Sequence, residues 1–216
     1  MNANELAPFI DHAVLGPRVQ YDDVAGACAD AKRYGFRGVV VPSSSVPHAT
    51  RLLRESDVKV ISTVGFPFGD TTQETKAFEA AHAVENGADE IDYVISLSAA
   101  LDGDFRFVRE EATNLVRAAN GRIVKAIIEV GYLDETQMFQ VASGLADSGV
   151  AYVKTCSGFA QGGATTEIVQ FLVQAVKGRC LVKASGGIRD AAQAIALLKA
   201  GAAVLGTSRG PELCGG

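Results

Sequence analysis

Nowhere in its 216 residues does the chain hold an apolar run near the roughly 18 residues of a membrane-spanning helix. Its first residues, MNANELAPFI, carry neither a basic segment nor a long apolar one, so no secretion signal is expected. Positive charge is not in excess: 20 Lys and Arg against 25 Asp and Glu leave a formal net charge of -5 and a pI near 5.2. Such a balance offers nucleic acid or an anionic membrane little attraction, and neither is expected as a partner. Cysteine is scarce. Cys28, Cys156, Cys180 and Cys214 form no CxxC pair, which fits a reduced, cytoplasmic setting better than a disulfide framework. Histidine is scarcer still: His12, His48 and His82 lie far apart without metal-ligand spacing, so neither a metal nor another cofactor is expected. Linkers and low-complexity stretches are also missing, and residues 1–216 read as one domain.

What the chain does have is apolar residues, 48% of the total, enough for one sizeable core. Strand-like runs occur at 8–15, 37–42, 58–66, 88–96, 122–130, 150–157, 180–185 and 202–208. Alanine-rich stretches with helical spacing lie between them, such as TQETKAFEAAHAVENG and RDAAQAIALLKAG, each closing on a glycine suited to a helix C-terminus. Strands that alternate with helices pair in parallel, because each crossover needs a helix. An open doubly wound sheet and a closed (β/α)8 barrel both fit. The repeat of roughly 30 residues and the lack of GxGxxG after the first strand favour the (β/α)8 TIM barrel. Its final helix is expected to be short or missing, since RGPELCGG leaves little room.

Three strand-like segments each contain a lysine, at equal intervals along the chain: RIVKAIIEV with Lys125, AYVKTCSGF with Lys154 and CLVKASGGI with Lys183. Asp92 lies in EIDYVI, one strand earlier. Charges within apolar strands are costly unless paired or functional. In a barrel the C-terminal strand ends form the active face, and Lys154 and Lys183 lie near such ends. A deprotonated lysine can attack a carbonyl and form an imine. Bringing its pKa from about 10.4 to near 7 takes roughly 4–5 kcal/mol. A second ammonium about 5–6 Å away, at an effective dielectric near 20, contributes about 3 kcal/mol, with partial burial supplying the rest. Asp92 is suited to moving protons. Lys125 sits earlier in its strand and reads as an ordinary snorkelling side chain.

A second signal suits a phosphate. Gly186-Gly187 opens a helix in ASGGIRDAAQA, and Gly206, Ser208 and Arg209 follow the last strand in LGTSRG. Helix N-terminal amides attract dianions, and barrels often bind phosphate at the loops after strands seven and eight.

These stretches resemble the 2-deoxyribose-5-phosphate aldolases, a family of class I aldolases. IDHAVLGP, STVGFPFGD, GADEIDYVIS, VKAIIEVGYL, YVKTCSGF, VKASGGIRD and GTSRG match in the family's order and span most of the chain. The resemblance implies a (β/α)8 barrel that needs no metal and is usually a homo-oligomer, a dimer or tetramer. It implies reversible cleavage of 2-deoxy-D-ribose 5-phosphate to glyceraldehyde 3-phosphate and acetaldehyde. Lys154 would be the Schiff-base lysine and Asp92 with Lys183 the proton donor and acceptor. Gly158, Gly186, Gly187, Gly206 and Ser208 would surround the phosphate, with Arg209 adding charge where some members have a second serine. The chain departs from the family at Ala13, usually threonine, at Val39, commonly cysteine, and near Val41, asparagine or tyrosine. These changes are expected on the sugar-facing side. The tyrosine tail of some members is absent from PELCGG. Two rivals stay open: a related barrel aldolase for another phosphorylated or keto substrate, and a barrel that binds a sugar phosphate without catalysis.

Overall fold

The computed structural model describes residues 2–215. Parallel strands form a closed barrel in chain order: β1 Ile10–Ala13, β2 Gly38–Val41, β3 Lys59–Val64, β4 Glu90–Val94, β5 Ile123–Ile127, β6 Tyr152–Lys154, β7 Leu181–Ser185 and β8 Val204–Thr207. Closure is made by β1 against β8, with Ile10 in register with Leu205 and His12 with Thr207. Each strand falls inside one of the apolar runs. The long helices between them are α1 Tyr21–Tyr34, α2 Val46–Leu53, α3 Gln73–Glu85, α5 Phe105–Ala118, α6 Glu135–Ala146, α7 Thr166–Val176 and α8 Ala191–Lys199, with a short α4, Leu97–Leu101, after β4. Among the described residues, β8 is followed by the single turn of α9, Gly210–Leu213, a short final helix as expected.

Local chemistry starts and stops these helices. The side chains of Thr72, Asp104, Asp134, Thr165 and Asp190 cap helix N-termini by accepting amide hydrogens three residues on. Gly35, at φ 74, ends α1 in a left-handed conformation that costs glycine little. Outside the barrel, Val39, Val41, Val60, Ile91, Tyr93, Val124 and Val153 join apolar helix residues in one buried cluster. Full burial of such an aliphatic side chain contributes roughly 1.5–3 kcal/mol. Strand side chains alternate between faces, so the residues between them point into the barrel. On β4 these are Glu90 and Asp92, flanking the outward Ile91.

Candidate active site

The interior of the barrel is charged. Asp92 accepts from Lys125 at Oδ1 and from both Lys154 and Lys183 at Oδ2, each at 2.8 Å. Lys183 also reaches Asp11 Oδ2 at 2.5 Å, and Lys125 reaches Glu90 at 2.6 Å. Beneath them Arg37 donates to Asp11 at 2.7 Å and, through both terminal nitrogens, to Glu90 at 2.9 and 2.5 Å. Strand register makes these meetings possible: Asp92 lies beside Lys125, and Lys154 beside Lys183. Asp11, Asp92, Lys125 and Lys183 are wholly buried, and Lys154 is 4% exposed. Charges at this depth persist only because each meets an opposite charge at hydrogen-bond distance.

Burial is the main cause that lowers Lys154, to a pKa of about 8; Asp92 opposes it, and Lys183 and then Lys125 add to the lowering. The expectation that a second lysine supplies most of the shift is therefore corrected: removal from water outweighs the repulsion. Burial would raise Asp92, but Lys125, Lys154 and Lys183 hold it well below the usual carboxylate range. Burial also works against the Lys125 ammonium, yet Asp92, Asp11 and Glu90 hold its pKa above the ordinary lysine value. Lys125 is thus a buried ion-pair partner, and the snorkelling reading of it fails.

Lys154 forms the floor of a cavity of about 330 Å³ at the C-terminal ends of the strands. All the glycines singled out in the sequence line it, Gly158, Gly186, Gly187 and Gly206, together with Ser208 and Arg209. Asp92 and Lys183 do not line it: Asp92 meets the cavity through Lys154 and holds Lys183 on the same oxygen. Gly186 and Gly187 have φ of 92° and 73°, values that side-chain-bearing residues rarely adopt. Gly206 serves clearance as well: a Cβ there would fall 2.9 Å from Ser185 Cβ and 3.2 Å from Lys183 Cε. Ser185 joins the β6 and β7 ends, donating to the Cys156 carbonyl at 2.5 Å, while its carbonyl accepts from Thr155 Oγ1 at 2.7 Å.

Ala13 lines the cavity, as its place in DHAVL suggested. Val39 and Val41 do not. Both belong to the outer hydrophobic cluster, and Val40 between them faces the cavity. A one-residue offset in a strand exchanges the two faces, so the departures at Val39 and Val41 fall away from the ligand side. Sequence reasoning also missed Arg189 and Phe159, which line the cavity, and Asp11, Glu90 and Arg37 beneath it. Arg189 stands two residues after the Gly186-Gly187 pair, a signal that was available. Among the described residues no group of His, Cys, Asp and Glu has a metal-holding arrangement, and no helix is long and apolar enough to cross a membrane. All four cysteines are free thiols.

A parallel eight-stranded barrel whose carboxyl-end pocket opens on a buried, near-neutral amine is the architecture of a barrel aldolase. Curated relatives agree. The deoxyribose-phosphate aldolase of Carboxydothermus hydrogenoformans is 40% identical over 220 residues, covering 100% of this chain and 96% of the relative. That of Aciduliprofundum boonei is 42% identical over 215 residues, covering 99% and 97%. The tetrameric deoxyribose phosphate aldolase of Aeropyrum pernix superposes with a TM-score of 0.92 at 32% identity, covering 99% of this chain and 91% of that one. No protein-family model matches the chain. The chain belongs to the deoxyribose-phosphate aldolase family.

Proposed function

We propose that this protein, as one barrel domain over residues 1–216, reversibly cleaves 2-deoxy-D-ribose 5-phosphate to D-glyceraldehyde 3-phosphate and acetaldehyde through an imine on Lys154. The observation that carries the reading is the Lys154 amine, at the floor of the cavity and 2.8 Å from a carboxylate that also holds Lys183. Neutral Lys154 attacks the C1 aldehyde of the open-chain sugar, and loss of water gives the protonated imine. The C3 hydroxyl then gives up its proton and the C2–C3 bond breaks. Its electron pair flows toward the imine nitrogen, leaving an enamine and releasing glyceraldehyde 3-phosphate. Protonation of the enamine carbon and hydrolysis free acetaldehyde and the lysine. Asp92 and Lys183 carry the protons: Lys183 holds an exchangeable one, and Asp92 keeps it within reach of Lys154.

In this reading the phosphate lies against Gly158, Gly186, Gly187, Gly206 and Ser208, and the Arg209 guanidinium adds charge. The cavity wall contains Lys154, Arg189 and Arg209 but no Asp or Glu, which suits a dianion. The same reading takes the enzyme to be a cytoplasmic homo-oligomer, a dimer or tetramer, acting on small molecules without a metal or cofactor. Borohydride reduction in the presence of acetaldehyde, followed by peptide mapping, tests it: a two-carbon adduct is expected at Lys154. Labelling mainly at Lys125 or Lys183 would overturn the assignment.

A further inference from the structure

Within the barrel, four cations, Arg37, Lys125, Lys154 and Lys183, meet three carboxylates, Asp11, Glu90 and Asp92. The set forms one continuous network, from Arg37 at the amino-terminal end to Lys154 at the cavity floor. With every member ionised it holds one positive charge too many. With one ammonium neutral it balances. Lys154 has the weakest hold on its proton by position: it touches one carboxylate, Asp92, whereas Lys125 bonds Glu90 and Asp92 and Lys183 bonds Asp11 and Asp92. Arg37 cannot release its proton in this range.

We propose that Glu90 and Arg37, at the opposite end of the barrel from the cavity, are positioning residues that set the protonation of Lys154 through the charge count of this network. The claim rests on the reading of Lys154 as the imine-forming lysine. Neither residue lines the cavity, so neither acts by touching substrate. Glu90 takes two hydrogen bonds from Arg37 and an ion pair from Lys125, which is in turn bound to Asp92. A change of charge at Glu90 or Arg37 therefore reaches Lys154 through a low-dielectric interior where salt screens little.

The other groups facing this network are few. Beyond the members themselves, which include Asp11 from β1 and Lys183 from β7, strand β6 presents the Tyr152 ring, 5.9 Å from Lys125 Nζ and 6.0 Å from the Arg37 guanidinium. Strands β2 and β8 contribute no titratable side chain, and β3 contributes only the exposed Lys59 at its amino end. Above Lys154 stand Arg189 and Arg209, both exposed to solvent on the cavity wall, and Glu129 holds the amide of Ser157 beside it.

Two single variants of opposite charge test the proposal, read as the pH midpoint of acetaldehyde trapping at Lys154 by borohydride. Glu90→Gln removes an anion and should move the midpoint down. Arg37→Met removes a cation and should move it up. Each shift is expected on the order of one pH unit, the effect of a unit charge about 10 Å away at an effective dielectric near 20. The double variant should return close to wild type, and Arg37→Lys, which keeps the charge but loses the fork, should leave the midpoint in place. A merely structural role would not give shifts of opposite sign that cancel. Should Arg37→Met fail to fold, the near-isosteric Glu90→Gln decides the sign alone. Adducts at Lys154 with midpoints that stay put, or that move in the same direction in both variants, would overturn the proposal and leave the aldolase reading intact. Absence of any adduct at Lys154 in the wild-type protein would instead overturn the aldolase reading, and this one with it.

Discussion

Lys154 and Lys183 share one oxygen: both ammonium nitrogens lie 2.8 Å from Oδ2 of Asp92. Because β6 and β7 place the two lysines in direct register, the carboxylate is what lets them stand side by side in a buried space. The shared contact makes the lysine that titrates and the lysine that stays paired sensitive to the same residue.

The pH dependence follows from the Lys154 pKa of about 8. Below that value the amine is protonated and cannot attack a carbonyl. Single-turnover imine formation should fall about tenfold for each pH unit below the midpoint and level off above pH 9. A midpoint near the ordinary lysine value, about 10.4, would contradict the burial of this group as its activator.

Lys183→Leu and Asp92→Asn should separate nucleophile from proton carrier. Burial leads the lowering of Lys154 and Lys183 adds to it, so Lys183→Leu should raise the trapping midpoint by about 1–2 pH units while kcat falls at every pH. Asp92→Asn should keep trapping at Lys154 but lose deuterium exchange at the acetaldehyde methyl. An unmoved midpoint in Lys183→Leu would show that Lys183 has no part in the lowering.

Arg209 is exposed on the cavity wall, so its contribution is discounted for solvent. Arg209→Ser should raise KM for deoxyribose 5-phosphate about 3- to 10-fold, corresponding to roughly 1 kcal/mol, and leave kcat/KM for unphosphorylated deoxyribose unchanged. Equal losses for both substrates would argue against a phosphate contact.

Gly206→Ala adds a methyl group 2.9 Å from Ser185 Cβ and 3.2 Å from Lys183 Cε. Neither neighbour yields freely, since Ser185 is bonded to the Cys156 carbonyl and Lys183 to two carboxylates. The expected outcome is a kcat loss of at least tenfold from displaced Lys183, with Lys154 still labelled by acetaldehyde and borohydride. Full activity in this variant would show that the clearance is not needed.

Away from the cavity, Lys76 on α3 and Glu111 on α5 form a wholly buried ion pair at 2.7 Å, and Glu111 also accepts the Ser96 amide at 2.9 Å. Lys76→Met leaves that carboxylate without its cation and should cost about 3–5 kcal/mol in urea unfolding. Adding Glu111→Leu removes the stranded charge and should recover part of the loss, leaving mainly the unsatisfied Ser96 amide, about 1–3 kcal/mol. A double variant no more stable than Lys76→Met would contradict the pairing.

The strands were legible in the chain because parallel barrel strands, covered by helices, are written as short apolar runs. Asp92, Lys154 and Lys183 were legible because a charge inside such a run is too costly to be incidental. Which valine of Val39-Val40-Val41 meets the cavity was not legible: three like residues carry no alternation, so only the barrel register assigns Val40 to the inside. Nor could the burial of Lys125 be read, since its partners Glu90 and Asp92 come from a different strand. The lead of burial over repulsion at Lys154 depends on how deeply the closed barrel withdraws the amine from water, and spacing along a chain does not encode depth. Most distant of all is the bond from Lys183 to Asp11, 172 residues apart, which exists only because β8 closes on β1. Residue type placed the charges in the chain, but their pairing depends on distances through space, and those are decided only when the barrel closes.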